Sequence, residues 1–175
     1  AGVVVPVFAL RSERSCGVGD FGDLKLMTDW AAANGMKIIQ LLPVNDTTMQ
    51  HNWNDSYPYN TISVNALHPQ YVNLDDAGRL ANNGSMLDFN RRRSELNNLS
   101  FTDYEAVEKV KTEYLRELYD DCEEKLASDE QFAKFKKENE DWLVPYAAFC
   151  ILRDKYHTAR FSDWKEDAVY NRRRV

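Results

Sequence analysis

Two apolar runs on either side of one amphipathic segment constrain the fold of this chain most. Almost continuously apolar sequence fills residues 3–10 (VVVPVFAL) and 37–44 (KIIQLLPV), as in strands buried on both faces of a parallel sheet. Pro6 is unusual inside such a strand. Between the runs, residues 20–34 predict a helix, and Gly35 stands where helix ends favour glycine. The order predicts a right-handed βαβ unit with parallel strands.

The second half of the chain is predicted to be mainly helical. Residues 78–100 are polar and weakly periodic, with at most a short helix near Leu87. From Thr102 onward, apolar residues recur at helical spacing. We therefore predict three helices: one that begins at a cap on Thr102 or Asp103 and ends near Leu126, one over residues 130–139, and one over residues 141–156 that can hold Pro145 only in its first turn.

The composition is that of a globular protein and excludes some partners. Apolar residues make up 43% of the chain and charged residues 29%. The net charge of −6 lacks the basic footprint of a binder of nucleic acid or anionic membranes, so neither partner is expected. The arginine runs 91–93 and 172–174 are too short for a convincing basic patch and are interpreted as solvated surface or chain end.

The cysteines and the chain start bear on the compartment. Three scattered cysteines with no metal-ligand spacing suit a reducing, cytoplasmic environment, and neither a metal nor a cofactor is expected. We find no signal peptide and no apolar segment long enough to span a membrane. The start at Ala1 without methionine suggests a piece of a longer protein.

Residues 17–22 (GVGDFG) match the G-x-G-x-x-G pattern of dinucleotide sites. They follow a predicted strand and open a predicted helix. However, six residues separate the first strand from Gly17, whereas a dinucleotide turn begins at the strand end. The alternative interpretation is a loop in which glycines permit unusual dihedral angles and Asp20 caps the helix.

The loop after the second apolar run has the residue mix of a sugar-binding site. Aromatic rings can cover the apolar side of a pyranose, and amides and carboxylates can bind its hydroxyl groups. The candidate substrate-binding residues are Tyr59, Tyr57, Trp53, Asp55, Ser56 and Asn60. Asp46 and Asp55 resemble a catalytic carboxylate pair, but ordinary hydrogen-bonding roles within the loop are the alternative. His51 is interpreted as a surface loop residue.

Several segments together resemble the start of the catalytic barrel of 4-alpha-glucanotransferases (amylomaltase or disproportionating enzyme, glycoside hydrolase family 77). The resemblance is strong over residues 2–75 and continues weakly in the helical half. The segments that carry it are residues 4–12 (VVPVFALRS), 17–21 (GVGDF), 42–47 (LPVNDT), 55–59 (DSYPY), 142–143 (WL) and 146–149 (YAAF). Residues 56–59 resemble the Ser-Pro-Tyr turn of the family with one extra tyrosine. The loop is most similar to a subgroup that includes the plant cytosolic enzyme.

This resemblance implies an α/β fold, namely the N-terminal fragment of a TIM (β/α)8 barrel with a mostly helical insertion. Residues 1–77 would supply the first two strands and the substrate loop 45–62, and residues 78–175 the insertion. The implied reaction is retaining transfer of α-1,4-glucan units among maltose, maltodextrins and starch-type glucans, without a cofactor. The catalytic carboxylates would lie on later strands, so none is assigned in this chain. Tyr59 would contact the sugar.

Two alternatives and one physical consequence accompany this interpretation. The chain could be a non-catalytic carbohydrate-binding or interaction module, or a dinucleotide-binding domain. Under the barrel interpretation, two strands alone leave an unpaired edge and uncovered apolar faces. We therefore expect the chain by itself to be inactive and to self-associate.

Overall fold

The structure, a computed structural model, describes residues 1–171 and divides into two compact units. Unit 1 contains Ala1–Val44 and Leu67–Cys122. Unit 2 contains Asn45–Ala66 and the chain from Glu123 onward. Each unit is described by itself below.

Unit 1 begins with the predicted βαβ unit. Strand β1 (Gly2–Val5) pairs in parallel with β2 (Ile38–Leu41), and Gly2 stands opposite Ile38 and Val5 opposite Leu41. Helix α1 (Phe21–Ala33) connects them. The βαβ unit with parallel strands is therefore confirmed.

Both strands are shorter and more exposed than predicted. β1 ends at Val5 because Pro6 has no N–H for the ladder, and Val7–Ala9 form a 3-10 turn instead. Along both strands, exposed residues alternate with half-buried ones, and Ile38 is 69% exposed. The prediction of strands buried on both faces is wrong for this chain, because no third strand joins the sheet among the described residues and one face of each strand stays exposed.

The ends of α1 follow the predicted capping. The Asp20 carboxylate accepts from the N–H groups of Gly22 and Asp23, and the Asp23 carboxylate accepts from the N–H of Asp20. Such a reciprocal capping box satisfies backbone donors that no helical carbonyl can reach. At the other end Gly35 has φ +71°, as a residue just beyond a helix often does.

Helix α3 (Asn83–Asn97) is longer than the short helix predicted near Leu87. It follows the short helix α2 (Leu74–Ala77). The Asn82 side chain caps α3, and Phe89 and Leu96 are buried against the unit 1 core. Tertiary packing thus stabilises a helix whose surface positions are too polar to reveal it.

Helix α4 (Tyr104–Ala127) supplies the other side of the core. Its start is capped by Asp103, whose carboxylate accepts from the N–H of Ala106, which is one of the two predicted caps. One cluster of buried apolar side chains in unit 1 comes from the loop before α1, from helices α2 to α4 and from the turn between α2 and α3: Cys16, Val18, Leu74, Leu80, Phe89, Leu96, Val107, Val110 and Tyr114.

Unit 2 contains the predicted helices α5 (Glu130–Glu138) and α6 (Glu140–Tyr156). Pro145 lies in the second turn of α6, not in the first as predicted, so α6 lacks the hydrogen bond that this residue would donate. His157, with φ +53°, ends α6. Three 3-10 turns complete the unit: Trp53–Ser56, Phe161–Asp163 and Lys165–Asp167. Over residues 1–171, no helix has the length and apolar character needed to cross a bilayer.

Candidate functional site

The candidate site lies in the segment Asn45–Ala66 of unit 2, which contains the substrate loop predicted over residues 45–62. Its two ends are joined by backbone hydrogen bonds. The N–H of Asp46 donates to Ala66 O (2.9 Å), and the N–H of Ile62 donates to Asp46 O (2.8 Å). The Asn45 side chain also donates to Val64 O (3.0 Å). The loop is therefore closed at its base, which limits the conformations of the residues between.

Asp46 is a buried acceptor within this base. Its Oδ1 accepts from the Thr48 N–H (2.9 Å) and hydroxyl (2.6 Å), and its Oδ2 accepts from the Tyr146 hydroxyl of α6 (2.6 Å). Burial, together with the hydrogen bond to this carboxylate, raises the pKa of Tyr146 above its ordinary value. Both Asp46 oxygens are engaged, so the geometry favours the hydrogen-bonding role over a catalytic one.

Asp55 folds the loop back on itself. One carboxylate oxygen, Oδ2, accepts from the N–H groups of Gln50 (2.8 Å) and His51 (2.7 Å). The Asp55 backbone carbonyl accepts from the hydroxyl of the buried Thr47. His51 has φ +55°, a left-handed conformation that tight turns favour. Asp55 is therefore a turn-forming residue, and a direct sugar contact by its carboxylate stays a prediction.

The aromatic candidates project from this folded loop. The side chains of Trp53, Tyr57 and Tyr59 are 57%, 60% and 59% exposed. The rings of Tyr57 and Tyr59 lie 5.6 Å apart at 50°, so they form a tilted pair. An exposed aromatic pair can cover the C–H face of a sugar while its hydroxyl groups bind those of the sugar.

The structure brings only some of the predicted site residues together. Tyr57 and Tyr59 form the pair, whereas Trp53, Asp55 and Ser56 lie in the 3-10 turn that precedes it. Asn60 is exposed beyond the pair, and its N–H donates to Tyr57 O (3.3 Å). The role of these residues in binding remains a prediction.

Contacts between α6 and the substrate loop were missed from the sequence. Arg153 is 5% exposed, and its Nη1 donates to Thr48 O (2.6 Å). Its Nε donates to Asp154 Oδ1 (2.8 Å), which also lies 2.8 Å from His51 Nε2. Together with Tyr146, these residues form what we call the α6 anchor: Tyr146, Arg153 and Asp154.

The sequence carries only a faint signal of the α6 anchor. Tyr146 and Arg153 are seven residues apart, which places them on one helical face, but nothing local identifies their partners.

Burial opposes ionisation of Asp154. The hydrogen bonds from Arg153 and His51 outweigh it, so the pKa of Asp154 lies below its ordinary value. His51 is about half exposed, in agreement with a surface loop histidine.

The glycine motif, residues 17–22, lies in unit 1, and backbone N–H groups within it are bonded to other residues of that unit. Gly19 N–H donates to Phe8 O (3.2 Å), and Gly17 N–H donates to the Asn97 side chain (2.7 Å). A Cβ at Gly19 would stand 2.0 Å from Val7 O. Val18 is fully buried. These glycines permit close backbone packing, and Asp20 caps α1, so the geometry supports the loop interpretation and not a phosphate cradle.

Neither a metal-binding cluster nor a basic patch indicates a different function within residues 1–171. Within residues 1–171, no group of three His, Cys, Asp or Glu side chains is placed to hold a metal ion. Arg91, Arg92 and Arg93 each pair with carboxylates of unit 1. Arg91 is exposed, as predicted for solvated surface, whereas the side chains of Arg92 and Arg93 are only 26% and 22% exposed. The second arginine run, 172–174, lies outside the described residues.

Comparison with known proteins identifies relatives over the whole chain. The family model described as 4-alpha-glucanotransferase matches residues 5–174. The 4-alpha-glucanotransferase DPE2 of Oryza sativa subsp. japonica is 38% identical over 175 residues, which are 100% of this chain and 18% of that protein. The 4-alpha-glucanotransferases of Chlamydia caviae and Chlamydia muridarum are 35% and 32% identical, over 93% of this chain and 30% of each relative. This chain therefore spans less than a third of these relatives.

Proposed function

The chain belongs to the 4-alpha-glucanotransferase family, glycoside hydrolase family 77, and from this premise we propose that it forms the first part of the catalytic domain of such an enzyme. The enzyme would transfer α-1,4-glucan units from maltose or a maltodextrin to a glucan acceptor, in the cytoplasm and without a cofactor. The relatives are named 4-alpha-glucanotransferases, which supports the transfer of glucan units.

We propose that β1, α1 and β2 open a TIM barrel, with residues 1–77 as the barrel portion and residues 78–175 as a helical insertion. The parallel pairing of β1 and β2 supports this proposal, since the first strands of such a barrel are parallel and joined by a helix. The exposure of Val4 and Ile38 supports it as well. Later strands of the same protein would pair with these strands and cover their apolar side chains.

The proposed chemistry is a retaining double displacement. A carboxylate attacks the anomeric carbon while a carboxylic acid protonates the departing glycosidic oxygen, and a covalent glycosyl-enzyme results. The acceptor hydroxyl then attacks, and the second residue removes its proton. Asp46 and Asp55 are engaged in folding the substrate loop, so both catalytic carboxylates are assigned to residues outside this chain.

The single observation that carries the substrate role is the exposed Tyr57–Tyr59 pair on a loop fixed by its own hydrogen bonds. The loop follows β2, and loops after barrel strands form the active face of such barrels. We propose that Tyr59 packs against the sugar at the cleavage point. Tyr57 and Trp53 would extend the aromatic surface, and Asp55, Ser56 and Asn60 would supply polar groups.

Substitution of Tyr59 in the full-length enzyme that carries this chain tests the proposal. Loss of a sugar contact costs about 1–3 kcal/mol at the transition state, so Tyr59→Ala should lower kcat/KM for maltotriose disproportionation by about 5- to 150-fold. Tyr119, about half exposed on α4, offers the matched control Tyr119→Ala, which should keep kcat/KM. An unchanged kcat/KM with a lowered melting temperature would instead assign Tyr59 a packing role.

The assignment of the chemistry to residues outside this chain has its own test. Purified residues 1–175 should release no glucose from maltotriose, because a retaining mechanism needs two carboxylates that this chain does not offer. Release of glucose that survives Asp46→Asn and Asp55→Asn would show that the chain itself carries the catalytic groups.

A non-catalytic glucan-binding module is the second candidate function, and the exposure of Trp53 and the tyrosine pair favours it. A fluorescence titration of the chain with maltoheptaose measures glucan binding. Trp53→Phe is the control that gives the contribution of the other three tryptophans to the signal. Saturable binding by a full-length protein that has no transfer activity would support the module and overturn the transferase.

A further inference from the structure

The aromatic segment of the substrate loop, residues 53–59, turns its three large rings more than half to solvent. Hydrogen bonds through Asp55 shape this segment. The Asp55 carboxylate accepts from the N–H groups of Gln50 and His51, and its carbonyl accepts from the Thr47 hydroxyl. One determinant of the direction of the tyrosine pair is therefore how residues 48–51 are held.

Residues 48–51 are held by Asp46, which accepts from the Thr48 N–H and hydroxyl, and by one buried guanidinium. Arg153 Nη1 donates to Thr48 O, and both groups are buried. Removing a charged group from water is costly unless its donors find partners, and here two of them are fixed at once. The planar fork of arginine presents both bonds from one rigid group, which a lysine could not do.

The second donor of Arg153 extends this support to the next turn of the loop. Its Nε fixes Asp154 Oδ1, and the same oxygen lies 2.8 Å from His51 Nε2. His51 in turn donates its backbone N–H to Asp55 Oδ2, beside the turn that leads to Tyr57. An unbroken series of hydrogen bonds therefore connects α6 with the aromatic segment.

We propose that Arg153, acting with Asp154, is a positioning residue that sets the orientation of Tyr57 and Tyr59 for glucan binding. This inference rests on the proposed function, since it concerns the sugar contacts of that same loop. Neither residue touches the sugar. Arg153 acts on Thr48 directly and on His51 through Asp154.

A double-mutant cycle in the full-length enzyme tests the positioning role. Arg153→Gln should lower kcat/KM for maltotriose by about tenfold, because a displaced contact group forfeits alignment with the reacting sugar. In the Tyr59→Ala background the same change should lower it by less than about threefold, since the Tyr59 contact is already lost and only Tyr57 remains to be aligned. Arg153→Lys, which keeps the charge but not the fork, should fall between wild type and Arg153→Gln.

The controls separate positioning from general stability. Arg160 is an exposed arginine of the same unit, and Arg160→Gln should leave kcat/KM unchanged. If Arg153→Gln fails to fold, Asp154→Asn enters the same cycle, because it keeps the side-chain volume and weakens the bonds to both Arg153 and His51. Equal losses of kcat/KM with and without Tyr59 would overturn the proposal, because a residue that only stabilises the fold acts independently of Tyr59.

A second readout does not depend on activity. Amide hydrogen exchange in residues 46–62 should become about tenfold faster in Arg153→Gln, whereas exchange in α3 should not change. Unchanged exchange in the loop would overturn the positioning role. A wild-type enzyme without transferase activity would refute the proposed function and leave the exchange result to be judged separately.

Discussion

Units 1 and 2 differ in how much apolar core they bury. Unit 1 buries a contiguous cluster of apolar side chains from residues 16–18, helices α2 to α4 and the turn before α3, together with polar residues such as Asp20, Asp23 and Lys111. In unit 2, the buried apolar residues are Ala66, Ala148 and Trp164, whereas the buried polar residues of the substrate loop and α6 are Asp46, Thr47, Thr48 and Arg153. An apolar core tolerates many sequences of suitable volume, while a buried polar network requires particular partners at particular distances.

This difference corresponds to what each region does in the proposed enzyme. Unit 1 supplies the strands and helices of a scaffold, and a large apolar cluster contributes to its stability. The substrate loop must present exposed aromatic rings, so it cannot use those rings to hold itself together. Asp46, Asp55 and the α6 anchor hold the loop through hydrogen bonds instead, which leaves Tyr57 and Tyr59 available to a sugar.

The largest expected effect is self-association through the exposed apolar side chains of β1, β2 and α1. Val4, Ile38, Leu26 and Trp30 are each at least half exposed on β1, β2 and α1, so the chain of residues 1–175 should self-associate as its concentration rises. Light scattering across a concentration series measures the mass, and Ile38→Lys should shift association to higher concentration. A monomer at every concentration with a sharp cooperative melt would contradict the open-barrel account.

The apolar core of unit 1 should be the most sensitive to truncation. Phe89 is buried, and its ring centroid lies 4.5 Å from that of Tyr114. Phe89→Ala should lower the free energy of unfolding by about 3–5 kcal/mol, since it removes apolar contacts and leaves a cavity. Denaturant unfolding at one fixed concentration measures this.

Leu87 provides the matched control on the same helix. It is 72% exposed, so Leu87→Ala should change the free energy of unfolding by less than about 0.5 kcal/mol. Similar losses for Leu87→Ala and Phe89→Ala would show that α3 does not pack on the core as described.

In unit 2, the loss of one polar partner should have an intermediate effect. Asp46→Ala leaves the Thr48 N–H and the Tyr146 hydroxyl without their acceptor, and should cost about 1–3 kcal/mol. Tyr146→Phe removes one of these bonds and should cost less. A larger loss in Tyr146→Phe than in Asp46→Ala would place the stabilisation in the ring packing of α6 and not in the carboxylate.

The smallest effect is the pH dependence of the α6 anchor. The folded protein holds the pKa of Asp154 below its ordinary value, so its contribution to stability is complete above the unfolded pKa near 3.9 and is lost as pH falls through the folded pKa. Because Asp154 is 45% exposed, this contribution should stay below about 1 kcal/mol.

Comparison of wild type with Asp154→Asn isolates that contribution. The stability difference between the two proteins should be constant near pH 5.5 and should shrink as pH falls towards about 3. A difference that grows on acidification would contradict the paired state of Asp154.

The local features of the fold could be predicted because their causes are local. Neighbouring residues in the sequence are enough to identify the apolar runs of β1 and β2 and the Asp20 cap of α1. Helix α3 was largely missed because burial of Phe89 and Leu96 stabilises it, and burial depends on partners elsewhere in the chain. β1 was extended too far because apolar character does not show where Pro6 ends a ladder.

The candidate site shows the same division. Its residue mix predicted a sugar-binding loop, and the structure shows Tyr57 and Tyr59 exposed and paired there, while their contact with a sugar stays a prediction. The Asp46–Tyr146 contact joins residues 100 positions apart, and that of Thr48 with Arg153 joins residues 105 apart. No periodicity or spacing specifies such pairs.

Protection of the substrate loop by a glucan tests the central claim most directly. In the full-length enzyme, saturating maltoheptaose should slow amide hydrogen exchange in residues 50–62 and leave α3 and α4 unchanged, because the aromatic pair and its turn form the binding surface. Reduced protection in Tyr59→Ala would assign the effect to the sugar contact. Unaltered exchange in residues 50–62, in an enzyme that is saturated and active, would contradict the account.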